Sequence, residues 1–274
     1  ETRALRGEFI DLRDDILQWC GLKDFTFFFI DPKGWKQAVE IPTLLPLLRR
    51  PYSEYLINFM YDFLLRTHTQ EPFANDMEAI FGEVPNTQGM ESKEREGFLL
   101  KKYRTQLKKA QPDGDKPRSV YVAVLDPIKD RTKYHLVYLT RHPLGIKVFM
   151  EESEKVDLVQ KTVRARTKHE HQFEKTGQYD IFAQQDNIHD CDDHADLDEV
   201  KRYWFSQLTV TPKHFGVVQL ADMLEDTGWF ISDFQTAFQE LENEGQVKNL
   251  DATRKRSVNA VNFEKNERLV RTPS

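Results

Sequence analysis

The stretch FTFFFIDPKGW, residues 25–35, decides how the rest of the chain is read. Its first six residues are apolar except for Thr26. The run is too short for a typical helix, and its aromatic content favours a strand. Apolar side chains on both faces suit the interior of a parallel sheet covered by helices. Asp31-Pro32-Lys33-Gly34 ends the strand as a turn. Upstream, residues 9–20 read as a helix with Phe9, Ile16, Leu17 and Cys20 on one face. Downstream, residues 41–50 read as a helix limited by Pro42 and Pro46, and residues 55–59 (YLINF) as a second buried strand. Helices are expected near 73–82 and 91–110. Strands at 119–125 and 134–140 are joined by a connection too short for a parallel crossover, so they form an antiparallel hairpin. Pro143 opens a further helix. This order is the back half of a doubly wound, Rossmann-like α/β sheet with an antiparallel strand near one end.

Periodicity is lost over residues 167–195 and returns at Asp196. Val200, Tyr203, Trp204 and Leu208 share one helical face, and a second helix spans 218–224 and closes near Gly228. A third opens at Ser232 with Gln235 in the position of a capping box, repeats its apolar face at Phe234, Ala237, Phe238 and Leu241, and stops at Gly245. Strands at 247–250 and 258–263 are expected to form a wing around residues 251–257. Three helices and a wing make a winged helix-turn-helix. The expected organisation is therefore a Rossmann-like domain over 1–166, an acidic linker over 167–195 and a winged helix over 196–274.

Composition bounds the function. No stretch approaches the length of apolar chain a membrane span needs. No secretory signal is visible, and two cysteines make no disulfide framework, so the expectation is a cytoplasmic protein. The net charge of −6 is concentrated in one place: residues 167–199 hold two lysines against ten acids, a net of −8. The regions on either side are close to neutral, without the positive field of a strong nucleic-acid binder. Two His, one Cys and three Asp fall within His189–His194. One cysteine without paired ligand spacing reads as a solvated acidic linker rather than a zinc site, even with His169 and His171 nearby.

Four segments carry a family resemblance: FFFIDPKGW (27–35), INFMYDFLLR (57–66), NDMEAIFGE (75–83) and KYHLVYLTRHPLGIKVFMEE (133–152), followed by the winged helix. In order and spacing the chain resembles the three-Cys-motif partner proteins. The resemblance implies a class I methyltransferase-type domain dependent on S-adenosylmethionine, a C-terminal winged helix, and a cysteine-motif partner protein in bacteria or phage. It also implies a glycine-rich cofactor loop. None of the twelve glycines forms a GxG pair, so that loop is expected upstream of Glu1. On that reading the strand at 25–30 lacks a neighbour, and the chain by itself is expected not to bind S-adenosylmethionine tightly. Gly7, Glu8 and Phe9 are placed by the resemblance where a loop would meet the cofactor's adenine.

Asp31, Pro32 and Trp35 end a buried strand, where open α/β sheets hold their ligands. Asp31 and Pro32 match the start of the (D/N)PP(Y/F) motif of amino-methyltransferases, whereas Lys33 and Gly34 replace its second proline and Trp35 arrives late. The resemblance implies that this turn accepts a target amino group, adenine or cytosine being flipped into it. The plainer alternative is a tight turn with Trp35 as packing. Asn58 and Arg66 follow the next strand. Arg66 either holds a phosphate or carboxylate or pairs with Asp62 on a helix surface. Arg254, Lys255 and Arg256 at the wing are the phosphate-contact candidates for DNA or RNA. Against them, the third helix carries Asp233, Glu240, Glu242 and Glu244, which would repel a backbone, so protein contact is the competing use. The basic helix at 91–109 reads as a solvated face or a nucleic-acid patch. Two functions follow: a methyltransferase-like enzyme, or a non-catalytic scaffold for a partner.

Overall fold

The computed structural model describes residues 2–32, 37–61, 73–114, 116–129, 131–176, 195–254, 256 and 258–272. The chain divides into two compact units, one of residues 1–126 and 130–142, the other of 127–129 and 143–274. The architecture is mixed α/β, with one sheet in each unit.

The first unit holds α1 (Phe9–Cys20), β1 (Thr26–Ile30), α2 (Ile41–Leu48), β2 (Ser53–Phe59), α3 (Ala74–Phe81), α4 (Ser92–Lys109), β3 (Arg118–Leu125) and β4 (Thr132–Thr140). Its sheet runs in the order β1-β2-β4-β3. β1 and β2 are parallel, and β4 is antiparallel to both β2 and β3. The expected hairpin is thus present, and its returning strand inserts beside β2. One face of the sheet carries Phe28, Ile30, Tyr55, Ile57, Phe59, Val137 and Leu139, because alternate side chains share a face. Helix α4 meets that face with Leu99, Tyr103 and Leu107, four residues apart and all fully buried. Phe59 and Tyr103 stack at 4.4 Å, and Phe28 stacks on Tyr55 at 5.4 Å.

β1 is the edge strand of its sheet, as the reading that leaves it without a neighbour in this chain expects, but only one of its two apolar faces is covered. Phe28 and Ile30 are buried, while Phe27 and Phe29 are 49% and 58% exposed. Six apolar residues in a row describe a strand, but composition cannot say which of its two faces the surrounding chain covers.

The second unit begins with α5 (Pro143–Thr176), which continues ten residues into the stretch expected as a linker. Residues 177–194 lie outside the described residues. Then come α6 (Leu197–Gln207), β5 (Lys213–Phe215), α7 (Val217–Thr227), α8 (Ile231–Asn243), β6 (Val247–Asn249) and β7 (Glu267–Arg271). Asp196 caps α6 by accepting from the Asp198 amide at 2.9 Å. Gly228 and Gly245 end α7 and α8 with φ of 74° and 73°, the left-handed region glycine tolerates. The apolar stripe of α8, with Phe234, Ala237, Phe238 and Leu241, surrounds Trp204, whose indole N–H donates to the Phe234 carbonyl at 2.9 Å.

Two features of this unit correct the sequence reading. The sheet has three antiparallel strands, β5-β7-β6. The returning strand is Glu267–Arg271, not residues 258–263, which carry no strand and end in a 3-10 turn at Phe263–Lys265. Asn249 holds this segment in place: its amide donates to the Ala260 carbonyl and to Glu267. α8 also begins at Ile231, and its box is formed by Asp233 accepting from the Phe230 amide at 2.8 Å. Gln235 is diverted to both backbone groups of Val261, and the Ser232 hydroxyl donates to Glu154. No helix among the described residues is long and apolar enough to cross a membrane.

Candidate functional site

The register places one set of polar residues at a single end of the first sheet. Ile30 pairs with Ile57, and Phe59 lies opposite His135, so the C-terminal ends of β1 and β2 and the start of β4 meet there. Open α/β sheets bind ligands at this end. Asp31 follows β1 directly, and Asn58 is the penultimate residue of β2. The Asn58 amide donates to an Asp31 carboxylate oxygen at 2.6 Å. The amide oxygen of Asn58 is buried and has no hydrogen-bond partner among the described residues. Two acceptors, a carboxylate and an amide carbonyl, therefore sit side by side, and such a pair suits a ligand with N–H donors. Pro32, next in the chain, brings no amide proton of its own. Sequence reading named Asp31, Pro32 and Asn58 separately, and the fold brings Asp31 and Asn58 into contact. Trp35 and Arg66 lie outside the described residues.

A second cluster at the same end was missed. His135 is fully buried on the core face of β4. Its Nε2 lies 2.7 Å from Glu96 Oε1, close enough for charge contact but poorly aligned as a hydrogen bond. The Thr132 hydroxyl donates to the same oxygen at 2.8 Å. Tyr61 and Tyr121 meet the imidazole edge-on at 5.2 and 5.5 Å. Burial, reinforced by the Glu96 charge, raises the Tyr61 phenol above its ordinary value, so it stays protonated. Its hydroxyl has no hydrogen-bond partner among the described residues. Burial pushes the Glu96 carboxyl up, but His135, Thr132 and Lys93 together outweigh it and hold the group below the usual range. The signal was present in the sequence. Glu96 heads the stripe that continues at Leu99, Leu100, Tyr103 and Leu107, and His135 alternates with Val137 and Leu139. A charged or titratable group on a buried stripe requires a partner.

Gly7, Glu8 and Phe9 form the entrance to α1. The Phe9 ring packs against the core, and Gly7 lies against Leu12. Glu8 is exposed, and its carbonyl accepts from the amides of Asp11 and Leu12. The ring expected to meet an adenine is thus directed inward.

Between β6 and β7, Arg256 differs from its expected role. Its guanidinium grips Glu267, itself 2% exposed, through two contacts of 3.0 and 2.6 Å. Glu267 also accepts from Asn249 and from the Asn262 amide. Burial raises this carboxyl, but Arg256 and the two neighbours more than compensate and hold it low. An arginine committed to a buried carboxylate is a structural tie, so of the two described candidates, Arg254 and Arg256, it is Arg254 that is exposed. Lys255 lies outside them. The acids of α8 are also engaged. Asp233 is buried, Glu240 and Glu244 both hold Lys201 at 2.6 and 2.9 Å, and Glu242 accepts from the Asn249 amide. They do not form the repelling face that their count suggests. In the basic helix α4, Lys102 is paired with Glu83, Arg95 donates to the Met90 carbonyl and Arg104 to that of Ser119.

No group of three or more His, Cys, Asp or Glu side chains converges as a metal site among the described residues, and His189–His194 lie outside them. Searches of protein-family models, of characterised proteins and of solved structures found no match to this chain.

Proposed function

We propose that the first unit is the second half of a class I methyltransferase-type domain and the second unit a winged helix, together forming an S-adenosylmethionine-dependent, methyltransferase-like protein. The parallel pair followed by a hairpin whose last strand inserts antiparallel supports the first assignment. The order helix, strand, helix, helix, strand, strand from α6 to β7 supports the second. One observation carries the site: the Asn58–Asp31 hydrogen bond across the ends of adjacent parallel strands, with an unused acceptor beside it. The acceptor pair recognises an exocyclic amino group, as on adenine or cytosine in a nucleic acid. S-adenosylmethionine supplies the methyl group in this reading. Asp31 and Asn58 orient the amine and stabilise the charge it acquires.

Equilibrium binding of adenosine and cytidine against inosine and uridine tests the reading. The amino nucleosides should bind more tightly by about 10-fold or more, and Asp31→Asn should remove the preference. Equal binding of all four, or a preference that survives Asp31→Asn, overturns the amine assignment. The second reading is that of a non-catalytic scaffold working with a cysteine-motif partner protein, and equal binding of all four nucleosides returns the protein to it. The commitment of Arg256 to Glu267 favours that alternative, because it withdraws a cation from the surface a nucleic acid would meet.

A further inference from the structure

We infer that the outward face of α5 is a self-association surface, on which a second copy of this chain lays the same helix antiparallel. The inference stands on α5 alone and does not depend on the cofactor or amine assignments. Val148, Val156, Val159 and Val163 fall within about 80° of arc on this helix. All four are between 48% and 62% exposed. Together they make an apolar stripe along roughly 22 Å of helix axis.

The opposite side of α5 shows why the stripe calls for a partner. Ile146, Met150 and Ser153 are buried. The same line continues through Asp157, Lys161 and Arg164, which are polar and half-buried, and Asp157 pairs with Lys161 at 3.0 Å. A surface helix ordinarily turns its apolar stripe to the core and its charges to water. Beyond Ser153 this helix does the reverse. Val156, Val159 and Val163 follow one another at three and four residues, the spacing of the seam between two packed helices.

Charge chooses the occupant and its direction. Glu152 lies on the line of the stripe at one end and Arg166 at the other. Each has a neighbour on its own helix, Lys155 at 2.7 Å from Glu152 and Glu170 at 2.9 Å from Arg166. All four side chains are largely exposed, so these pairs are weak and leave both charges open to a partner. A parallel copy in register would set Glu152 against Glu152 and Arg166 against Arg166. An antiparallel copy sets Val156 and Val159 against Val159 and Val156, and brings each Glu152 within reach of the second copy's Arg166. The two-fold axis makes that contact twice, which is the self-complementarity an isologous interface requires. A stripe of this length buries roughly 500 Å² on each copy, less than the ~800 Å² of a standard interface, so the dimer is weak and half formed at about 10 µM or above.

The test is sedimentation velocity of the full chain from about 1 to 100 µM, a range that brackets a weak interface. The average mass should rise toward that of a dimer. Val156→Lys with Val159→Lys puts like charges at the centre of the seam and should move the midpoint up at least 10-fold. Lysine forms helix at least as well as valine, so circular dichroism should be unchanged and a lost dimer is not a lost helix. Phe27→Lys with Phe29→Thr, on the apolar edge of the first sheet, should leave the midpoint where it is. Direction is read by cross-linking with a short bis-maleimide after Cys20 and Cys191 are replaced by alanine. A mixture of Glu152→Cys and Arg166→Cys chains should give a mixed dimer, and neither variant alone should give one. A chain that stays monomeric over the whole range, a midpoint unmoved by the two lysines, a dimer lost in the Phe27 and Phe29 variant, or cross-linking of each cysteine variant with itself would each overturn the inference.

Discussion

Arg50 carries a charge into the first unit, where it is 2% exposed, and among the described residues its guanidinium donates to no carboxylate. Its guanidinium donates instead to the carbonyls of Cys20, Gly21, Asp24 and Pro51 and to the Ser53 hydroxyl, at 2.7 to 3.1 Å. It thereby ties the end of α1 to the starts of β1 and β2. Arg50→Ala strands those acceptors in a buried place and should cost about 3 kcal/mol or more in urea unfolding, with Arg50→Lys recovering little because one ammonium cannot span the fork. An unchanged urea midpoint in Arg50→Ala would remove this residue from the account of the fold. The acid sensitivity of the segment between β6 and β7 is equally local. The Arg268 guanidinium and backbone amide hold the Asp251 carboxyl at about 2, down from 3.8. A group depressed in the folded state stabilises it above its unfolded pKa and ceases to do so as pH falls through the folded value. Asp251 should therefore support its tie to β7 fully above pH 4 and lose that effect between about 4 and 2. A carboxyl resonance that titrates near 3.8 in the folded protein would refute this.

β1 shows how little a strand's composition says about its surroundings. The run TFFFI gives a strand and a period, and the structure honours both: Phe28 and Ile30 point into the core, Phe27 and Phe29 away from it. Phe28→Ala should cost about 3 kcal/mol, as expected for deleting a buried aromatic ring. Phe27→Lys and Phe29→Thr should change unfolding free energy by less than about 0.5 kcal/mol and reduce light scattering at high concentration, because an apolar edge strand invites pairing with other chains. A large loss of stability in the outward variants, equal to that of Phe28→Ala, would contradict the alternation. Helix α8 teaches the complementary point. Its apolar stripe was legible from Phe234, Ala237, Phe238 and Leu241. Its cap was not, because Ser232 and Gln235 satisfy the capping pattern as letters while Glu154 and Val261 lie closer to them in space.

The whole chain divides near Pro143, and each unit has its own core and its own sheet. A fragment of residues 143–274 should fold cooperatively and bury Trp204, giving a blue-shifted tryptophan emission that moves red on denaturation. A fragment that lacks a cooperative transition would mean that the second unit depends on the first for its stability.

The elements of the first unit, their order and the antiparallel hairpin follow from the sequence by itself, because periodicity and turn chemistry act over a few residues. Leu99, Tyr103 and Leu107 announce the buried face of α4, and Asp31 announces the end of β1. What only the tertiary structure decided is partnership. It left one face of β1 uncovered, brought Asn58 onto Asp31, chose residues 267–271 over 258–263 to pair with β6, and gave Arg256 to Glu267. These outcomes depend on distances between residues far apart in the chain. A charge or a hydroxyl goes to whichever buried partner leaves the fewest groups unsatisfied, and that comparison exists only once the elements have packed.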